Sequence, residues 1–223
     1  MPRFQLYDYL LKFPLFYGMS HNELELVVGE TKFDFRKERA DKVIFQEGET
    51  CDKIFFLTQG SIQLTASAAD YSYKVGEILT APTSICSTLL FGLKQRCTHT
   101  LSTLTDCNFI TIDKTETLKL CADFEIFRLN LLNIACNDAQ RLNSRNWRVA
   151  PTSLRQRIIR FFEAHCIRPA GEKHFQIKMT RLAEELNESR LEISRELNRM
   201  QADHLLSLGR GAIHIPMLEK LLM

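Results

Sequence analysis

Between residues 180 and 216 the side chains that can do chemistry fall at regular intervals. Thr180-Arg181-Leu182-Ala183-Glu184-Glu185-Leu186 and the run from Arg190 to Asn198 both carry apolar residues at helical spacing. In the second run Ile193 and Leu197 turn inward, leaving Arg190, Leu191, Ser194, Arg195 and Asn198 on or near the outer face. An arginine there can donate two parallel hydrogen bonds to guanine O6 and N7, and shorter polar groups suit phosphate oxygens. Ser189 stands three residues before Glu192, the spacing of a capping box, so a helix is predicted from Arg190 with free N–H groups that favour an anion. Asn187 suits the tight turn before it, because asparagine tolerates the left-handed conformation. Ala183 is small enough for the two helices to cross closely. Residues 205–208 and 212–215 are predicted strands around Gly209-Arg210-Gly211, with Arg210 at the tip as a candidate phosphate contact.

Other candidates are sparser. Gly76-Glu77-Ile78 and Gln95-Arg96-Cys97-Thr98 offer a carboxylate, an arginine and a thiol for a small effector. The seven cysteines, at 51, 86, 97, 107, 121, 136 and 166, form no CxxC pair. Their odd count and irregular spacing predict reduced core thiols, with no disulfide framework and no metal site. No P-loop, GxGxxG, GxSxG or HExxH motif occurs, so no catalytic residue is assigned and an enzyme is not expected. Cys97 and His99 lie two apart in a strand-like stretch and are expected to pack, not to form a nucleophile and its base.

The elements that must position these groups follow from pattern. Ser20-His21-Asn22-Glu23 is a capping box opening a short helix. Short β-type runs follow at 32–35, 43–45, 54–57, 61–65 and 108–112, separated by turn signals at Gly48, Gly60 and Val75-Gly76-Glu77. Closely spaced strands with glycine turns predict a β-roll, barrel or sandwich. No proline or glycine occurs from Thr115 through Val149, where Leu131, Ala135, Asp138, Leu142, Arg145 and Val149 form a heptad-like stripe beside Ile134 and Ala139. Pro151 with Ser153 ends that helix and caps the next. Residues 141–223 hold 12 Arg and 3 Lys against 9 acids, a balance of +6, while the first 140 residues carry −4. An acidic front and a basic back fit a sensor joined to a polyanion binder. The N-terminus lacks the apolar core of a signal peptide and no run is long enough to span a bilayer, so a cytoplasmic protein without a membrane partner is expected.

Pro14-Leu15-Phe16, residues 20–24, residues 44–49, residues 54–60 and Gly76-Glu77-Ile78 together resemble the cyclic-nucleotide-binding β-roll, over roughly residues 10–113. Residues 151–216 resemble the winged helix of the superfamily of the cyclic-AMP receptor protein and the fumarate–nitrate regulator, through Leu-Ala-x-x-Leu-x-x-x-Arg-x-x-x-Ser-Arg-x-Leu. The resemblance implies an α+β bacterial transcription regulator. It has an N-terminal sensor β-roll (1–113), a long dimerisation helix (114–149) and a C-terminal winged helix-turn-helix (150–223). Implied partners are double-stranded DNA, a second copy of the chain, a small-molecule effector of unknown identity and, beyond these, RNA polymerase. Arg190, Ser194 and Arg195 fall on the family's base and phosphate contacts, but Leu191 replaces the acidic residue that accepts from cytosine N4. Cyclic-nucleotide binders carry Arg-[Ser/Thr]-Ala about ten residues after Gly-Glu. Arg96 comes later and Cys97 replaces the hydroxyl, which places the chain in the non-cyclic-AMP branch and leaves the cofactor unknown. An iron–sulfur cluster is not expected, since the first cysteine is Cys51. The alternative function is a cyclic-nucleotide-binding-like scaffold, or a haem-based sensor using His99, His21 or a cysteine, without sequence-specific DNA binding.

Overall fold

The structure is a computed structural model that describes residues 3–145 and 147–222. In chain order its elements are α1 (Arg3–Leu10), α2 (His21–Glu30), β1 (Asp34–Glu38), β2 (Val43–Phe45), β3 (Lys53–Gln59), β4 (Ser61–Ser67), β5 (Lys74–Thr80), β6 (Thr83–Ile85), β7 (Thr100–Thr103) and β8 (Cys107–Asp113). Then come α3 (Lys114–Asp123), α4 (Glu125–Arg145), α5 (Leu154–Ala164), β9 (Lys173–Gln176), α6 (Met179–Glu185), α7 (Arg190–Ala202), β10 (Ser207–Gly209) and β11 (Ala212–Ile215). They form two compact units, one of residues 1–62, 80–98 and 102–148, the other of 63–79, 99–101 and 149–223.

In the first unit a four-stranded antiparallel sheet runs β1-β8-β3-β6. Its strands bury Ile54, Phe56, Ile110 and Ile112 against Leu10, Phe13, Phe16, Leu24, Val27 and Phe127 from the helices and the short 3-10 turn at Pro14–Phe16. The Ser20 capping box is complete: Ser20 Oγ accepts from Glu23 N–H at 3.3 Å, and Glu23 Oε2 accepts from Ser20 N–H at 2.7 Å. Gly60, at φ +97°, turns β3 into β4 where an added Cβ would lie 2.5 Å from the Asp106 carbonyl oxygen.

The stretch 114–149, which carries no helix breaker, is nonetheless two helices. Phe124 is extended (φ −123°, ψ 106°) and buried, ending α3, and Arg128 Nη1 donates to the Cys121 carbonyl left open in the last turn at 2.7 Å. Packing of Phe124 and Phe127 into one core outweighs the continuous helical propensity. Along α4, Leu131 and Ile134 pack on their own core, and Asp138 pairs with Arg141 at 3.0 Å. The exposed apolar residues of α4 are Leu129, Leu132, Ala135, Cys136, Ala139 and Leu142; Ala135 and Leu142 belong to the heptad-like stripe, whereas its Leu131 turns inward.

In the second unit the strand run is β10-β11-β9-β5-β4. Phe161, Phe162, Phe175, Leu182, Ile193, Leu197, Met200, Ile213 and Ile215 share one core beneath α5, α6 and α7. Burial of each large side chain contributes about 1.5–3 kcal/mol. Val75-Gly76-Glu77, expected as a turn, lies in strand β5, where Gly76 stands opposite His174 and Glu77 opposite Lys173.

Candidate functional site

Helix α7 is held by its buried side. Ile193, Leu197 and Met200 are fully covered, whereas Ser189, Arg190, Leu191, Arg195 and Asn198 are exposed and Ser194 is half-buried beside them. These side chains recur at i, i+4 and i+8, with Leu191 and Arg195 one step on, so one face presents them together. Leu191 is 59% exposed, an apolar group among cations and hydroxyls. Asn198 Nδ2 donates to the Ser194 carbonyl at 2.7 Å, and Arg195 Nη1 lies 2.5 Å from Glu192 Oε1. The guanidinium groups of Arg190 and Arg210 have no ion-pair partner among the described residues. Arg210 and Gly211 (φ +69°) form the two-residue turn between β10 and β11, where Gly209 pairs with Ala212.

The start of α7 departs from a full capping box. Ser189 Oγ accepts from Glu192 N–H at 3.1 Å, but the Glu192 carboxylate goes to Arg195. Glu188 takes the other half: its Oε1 accepts from Ser189 N–H at 3.1 Å, and its Oε2 pairs with Arg157 Nη2 at 2.7 Å. Arg157 Nη1 also donates to the Leu186 carbonyl at 3.0 Å, so α5 clamps the turn in which Asn187 adopts φ +47°. The Ser189 N–H and then Arg157 hold the Glu188 carboxyl below its usual range. Arg157 and Glu188 are positioning residues that sequence spacing did not single out; only the turn itself signalled that something must hold it.

Gly76 and Glu77 belong to the second unit, Arg96 and Cys97 to the first. Glu77 is 1% exposed and its carboxylate is engaged on both oxygens. Oε2 lies 2.6 Å from Lys173 Nζ and 3.2 Å from Arg168 N, and Oε1 accepts from Ile167 N–H. Lys173, fully buried, also donates to the Ala170 carbonyl at 2.8 Å. At Gly76 a Cβ would meet the end of the Gln63 side chain, Nε2 at 2.4 Å, so Gln63 would have to swing aside for any larger residue. Arg96 is exposed and donates to the Gly48 carbonyl at 2.7 Å, while Cys97 is buried.

Two sets of side chains have the composition of metal ligands. Cys51, Cys86 and Cys97 converge in the first unit and Glu172, His174 and His214 in the second. The two imidazoles stack at 4.5 Å and their Nε2 atoms lie 3.0 and 2.8 Å from Glu172 Oε1. Hydrogen bonding with Cys86 lowers the Cys51 thiol, and hydrogen bonding with Cys51 and Cys97 pushes Cys86 up. Among the described residues no helix is long and apolar enough to cross a membrane.

Residues 35–124 match the family model of the cyclic nucleotide-binding domain. Among solved structures, the catabolite activator protein of Thermus thermophilus is similar at TM-score 0.52 and 20% identity, over 93% of this chain and 96% of that one. The sensor domain of the transcriptional regulator DNR from Pseudomonas aeruginosa gives TM-score 0.55 and 16% identity, over 68% of this chain and 98% of that one. The N-terminal domain of a transcriptional regulator from Streptomyces coelicolor A3(2) gives 0.50 and 17%, over 66% and 100%. No curated protein sequence matches the chain. At these identities the structural likeness establishes fold. Residues 35–124 are therefore similar to the cyclic nucleotide-binding domain family, and the chain takes the fold of the Thermus thermophilus catabolite activator protein.

Proposed function

We propose that the chain is a dimeric, effector-responsive transcription regulator that binds double-stranded DNA at an inverted repeat. In this reading α6, the Asn187 turn and α7 are a helix-turn-helix, and the β10–β11 hairpin is its wing. The observation that carries it is the α7 face: an unpaired Arg190 with Leu191, Ser194, Arg195 and Asn198 exposed together, over a helix whose other side is locked in the core. Arg190 and Arg195 address guanine and phosphate, Leu191 packs on a thymine methyl, and Arg210 contacts backbone. Residues 1–113 act as sensor, 114–149 supply the dimer helix and 150–223 bind DNA. The exposed stripe from Leu132 to Leu142 is an apolar face suited to a second copy of the chain. Burial of Glu77 and its engagement by Lys173 and two backbone N–H groups support placement outside the cyclic-AMP branch, because a ribose hydroxyl would have to reach a carboxylate that is closed off from solvent and bonded on both oxygens.

Effector binding then changes the spacing of two recognition helices, which must match one DNA turn, about 34 Å between half-sites. An effector does this only through differential affinity for the two arrangements. Selection from a random duplex pool by the purified protein tests the reading. An enriched inverted repeat with half-sites one turn apart is expected, and its bases report what Leu191 contacts. Absence of DNA binding even at low salt would overturn the regulator and favour a scaffold built on the same sensor.

A further inference from the structure

Three of the seven cysteines, far apart in sequence, meet in the first unit. The Sγ atoms of Cys51, Cys86 and Cys97 all lie within 4.8 Å of one another, in residues only 3%, 8% and 5% exposed. Backbone pairing fixes two of them. Cys51 N–H donates to the Gln95 carbonyl at 3.0 Å, and Cys97 N–H to the Glu49 carbonyl at 2.8 Å. Thr50 and Arg96 bridge between these bonds, so residues 49–51 and 95–97 run antiparallel. Cys86 sits at φ +71°, a conformation that favours glycine, and a Cβ-bearing residue is strained there. Its thiol nevertheless completes the triangle.

The donor set selects its ligand. Thiolates prefer soft ions. Among the described residues no fourth Cys, His, Asp or Glu joins the three, whereas structural zinc is almost always four-coordinate. Zinc(II) or copper(I) on three thiolates would also leave a net negative charge in a buried site, which is costly without a paired cation. Lys53 is paired with Asp34 at 3.3 Å, and the other basic groups of the neighbourhood point their donors at neutral oxygens, Arg96 at the Gly48 carbonyl (2.7 Å) and Lys114 at Gln95 Oε1 (2.8 Å), not at the thiols. Asp52 adds a further negative charge beside Cys51. A trivalent centre on three thiolates is neutral and three-coordinate.

We propose that Cys51, Cys86 and Cys97 form a tris-thiolate site for a trivalent thiophilic metalloid of the arsenite class. The exchange balances without redox change: As(OH)3 and three Cys–SH give As(S–Cys)3 and three water molecules. Three As–O and three S–H bonds break, and three As–S and three O–H bonds form. As the ligand of the sensor half it deepens the regulator reading and rests on it; occupancy of the site itself is measured without DNA.

The test uses reduced full-length protein with sodium arsenite, followed by native mass spectrometry and alkylation of remaining thiols. One arsenic per chain with loss of three hydrogens is expected, and Cys51, Cys86 and Cys97 should be alkylated more slowly than in the arsenite-free protein, with the other buried thiols, Cys107 and Cys166, unchanged. Cys86→Gly, which suits the local backbone, and Cys97→Ser should each abolish that signature while circular dichroism stays native. Exposed Cys136→Ser should keep it. Loss of fewer than three hydrogens, survival of the adduct in either variant, or displacement of arsenic by zinc(II) or copper(I) in competition would overturn the site. A shift in affinity for the selected duplex on adding arsenite supports the sensor role; unchanged affinity at full occupancy overturns that role. Failure of the untreated protein to bind any duplex bears on the regulator reading alone.

Discussion

Within the second unit, charged side chains are handled in two opposite ways. Glu77 and Lys173 are buried and meet each other, backbone N–H groups and a carbonyl. On α7, Arg190 is exposed and unpaired, and Arg195 leans only on a neighbouring carboxylate. Charge that is buried and bonded internally is out of a ligand's reach, and the Glu77–Lys173 pair ties β5 to β9. Exposed charge on a rigid helix keeps its bonding capacity for a partner. A glutamate in a Gly-Glu-Ile motif thus ends up structural, while a plain surface arginine becomes the candidate reader.

The largest effect should come from breaking the buried pair. Lys173→Met leaves Glu77 uncompensated, and a loss of about 3–5 kcal/mol is expected, read as a lower urea midpoint. The double variant Glu77→Gln with Lys173→Met should recover much of it, because no charge then remains buried. If Lys173→Met alone is neutral, the pair does not hold β5 to β9 and the contrast with α7 fails.

On the exposed side, Arg190→Ala should leave the urea midpoint unchanged and lose ~1–3 kcal/mol of specific duplex binding, relaxing one base position. Selection with the variant checks this. An unchanged preferred sequence would remove Arg190 as a base reader. Arg210→Ala should weaken all sequences alike and reduce the salt slope by about 1, which binding titrations across salt concentrations would report.

What could be read from sequence follows from how far apart the partners lie. The α7 start at Ser189, the left-handed Asn187 and the Arg210 hairpin rest on residues within a few positions of one another, where capping and turn rules operate. Glu77 and Lys173 are 96 residues apart, and neither type at its position signals the other. The Val75-Gly76-Glu77 segment looked like a turn because Gly76 is a breaker, yet β9 recruits it as a strand. Cys51, Cys86 and Cys97 looked scattered for the same reason. The break at Phe124 was hidden because it is imposed by packing, not by a proline or glycine. At α7 even local rules gave half the cap: Glu192 has the spacing to reach back, but Arg195 competes for it and Glu188 takes its place.

That substitution sets a smaller effect. Ser189→Ala removes the one side-chain cap of α7 and should cost ~1 kcal/mol of stability, with Ser189→Asn restoring most of it. Thermal melts of the three proteins separate capping from a direct DNA role, because only a contact to phosphate would leave the asparagine variant impaired in binding.

The smallest expected effect concerns Glu188. Bonds from Ser189 N–H and Arg157 hold its folded-state pKa below the unfolded value of about 4.3. For a depressed carboxylate the folded state binds fewer protons than the unfolded state between the two pKa values. The stabilisation is therefore fully present above the unfolded value and lost as pH falls through the folded one. Glu188→Gln keeps an acceptor for Ser189 N–H but has no charge to lose, so its urea midpoint should lie slightly below wild type at neutral pH and meet it in acid. The pair is only half-buried, so added salt should shrink the difference further. Parallel curves from neutral to acid pH would mean that Arg157 and Glu188 do not act as a charged clamp, and that the Asn187 turn is held by its backbone bonds and the Arg157 bond to the Leu186 carbonyl without help from the Glu188 charge.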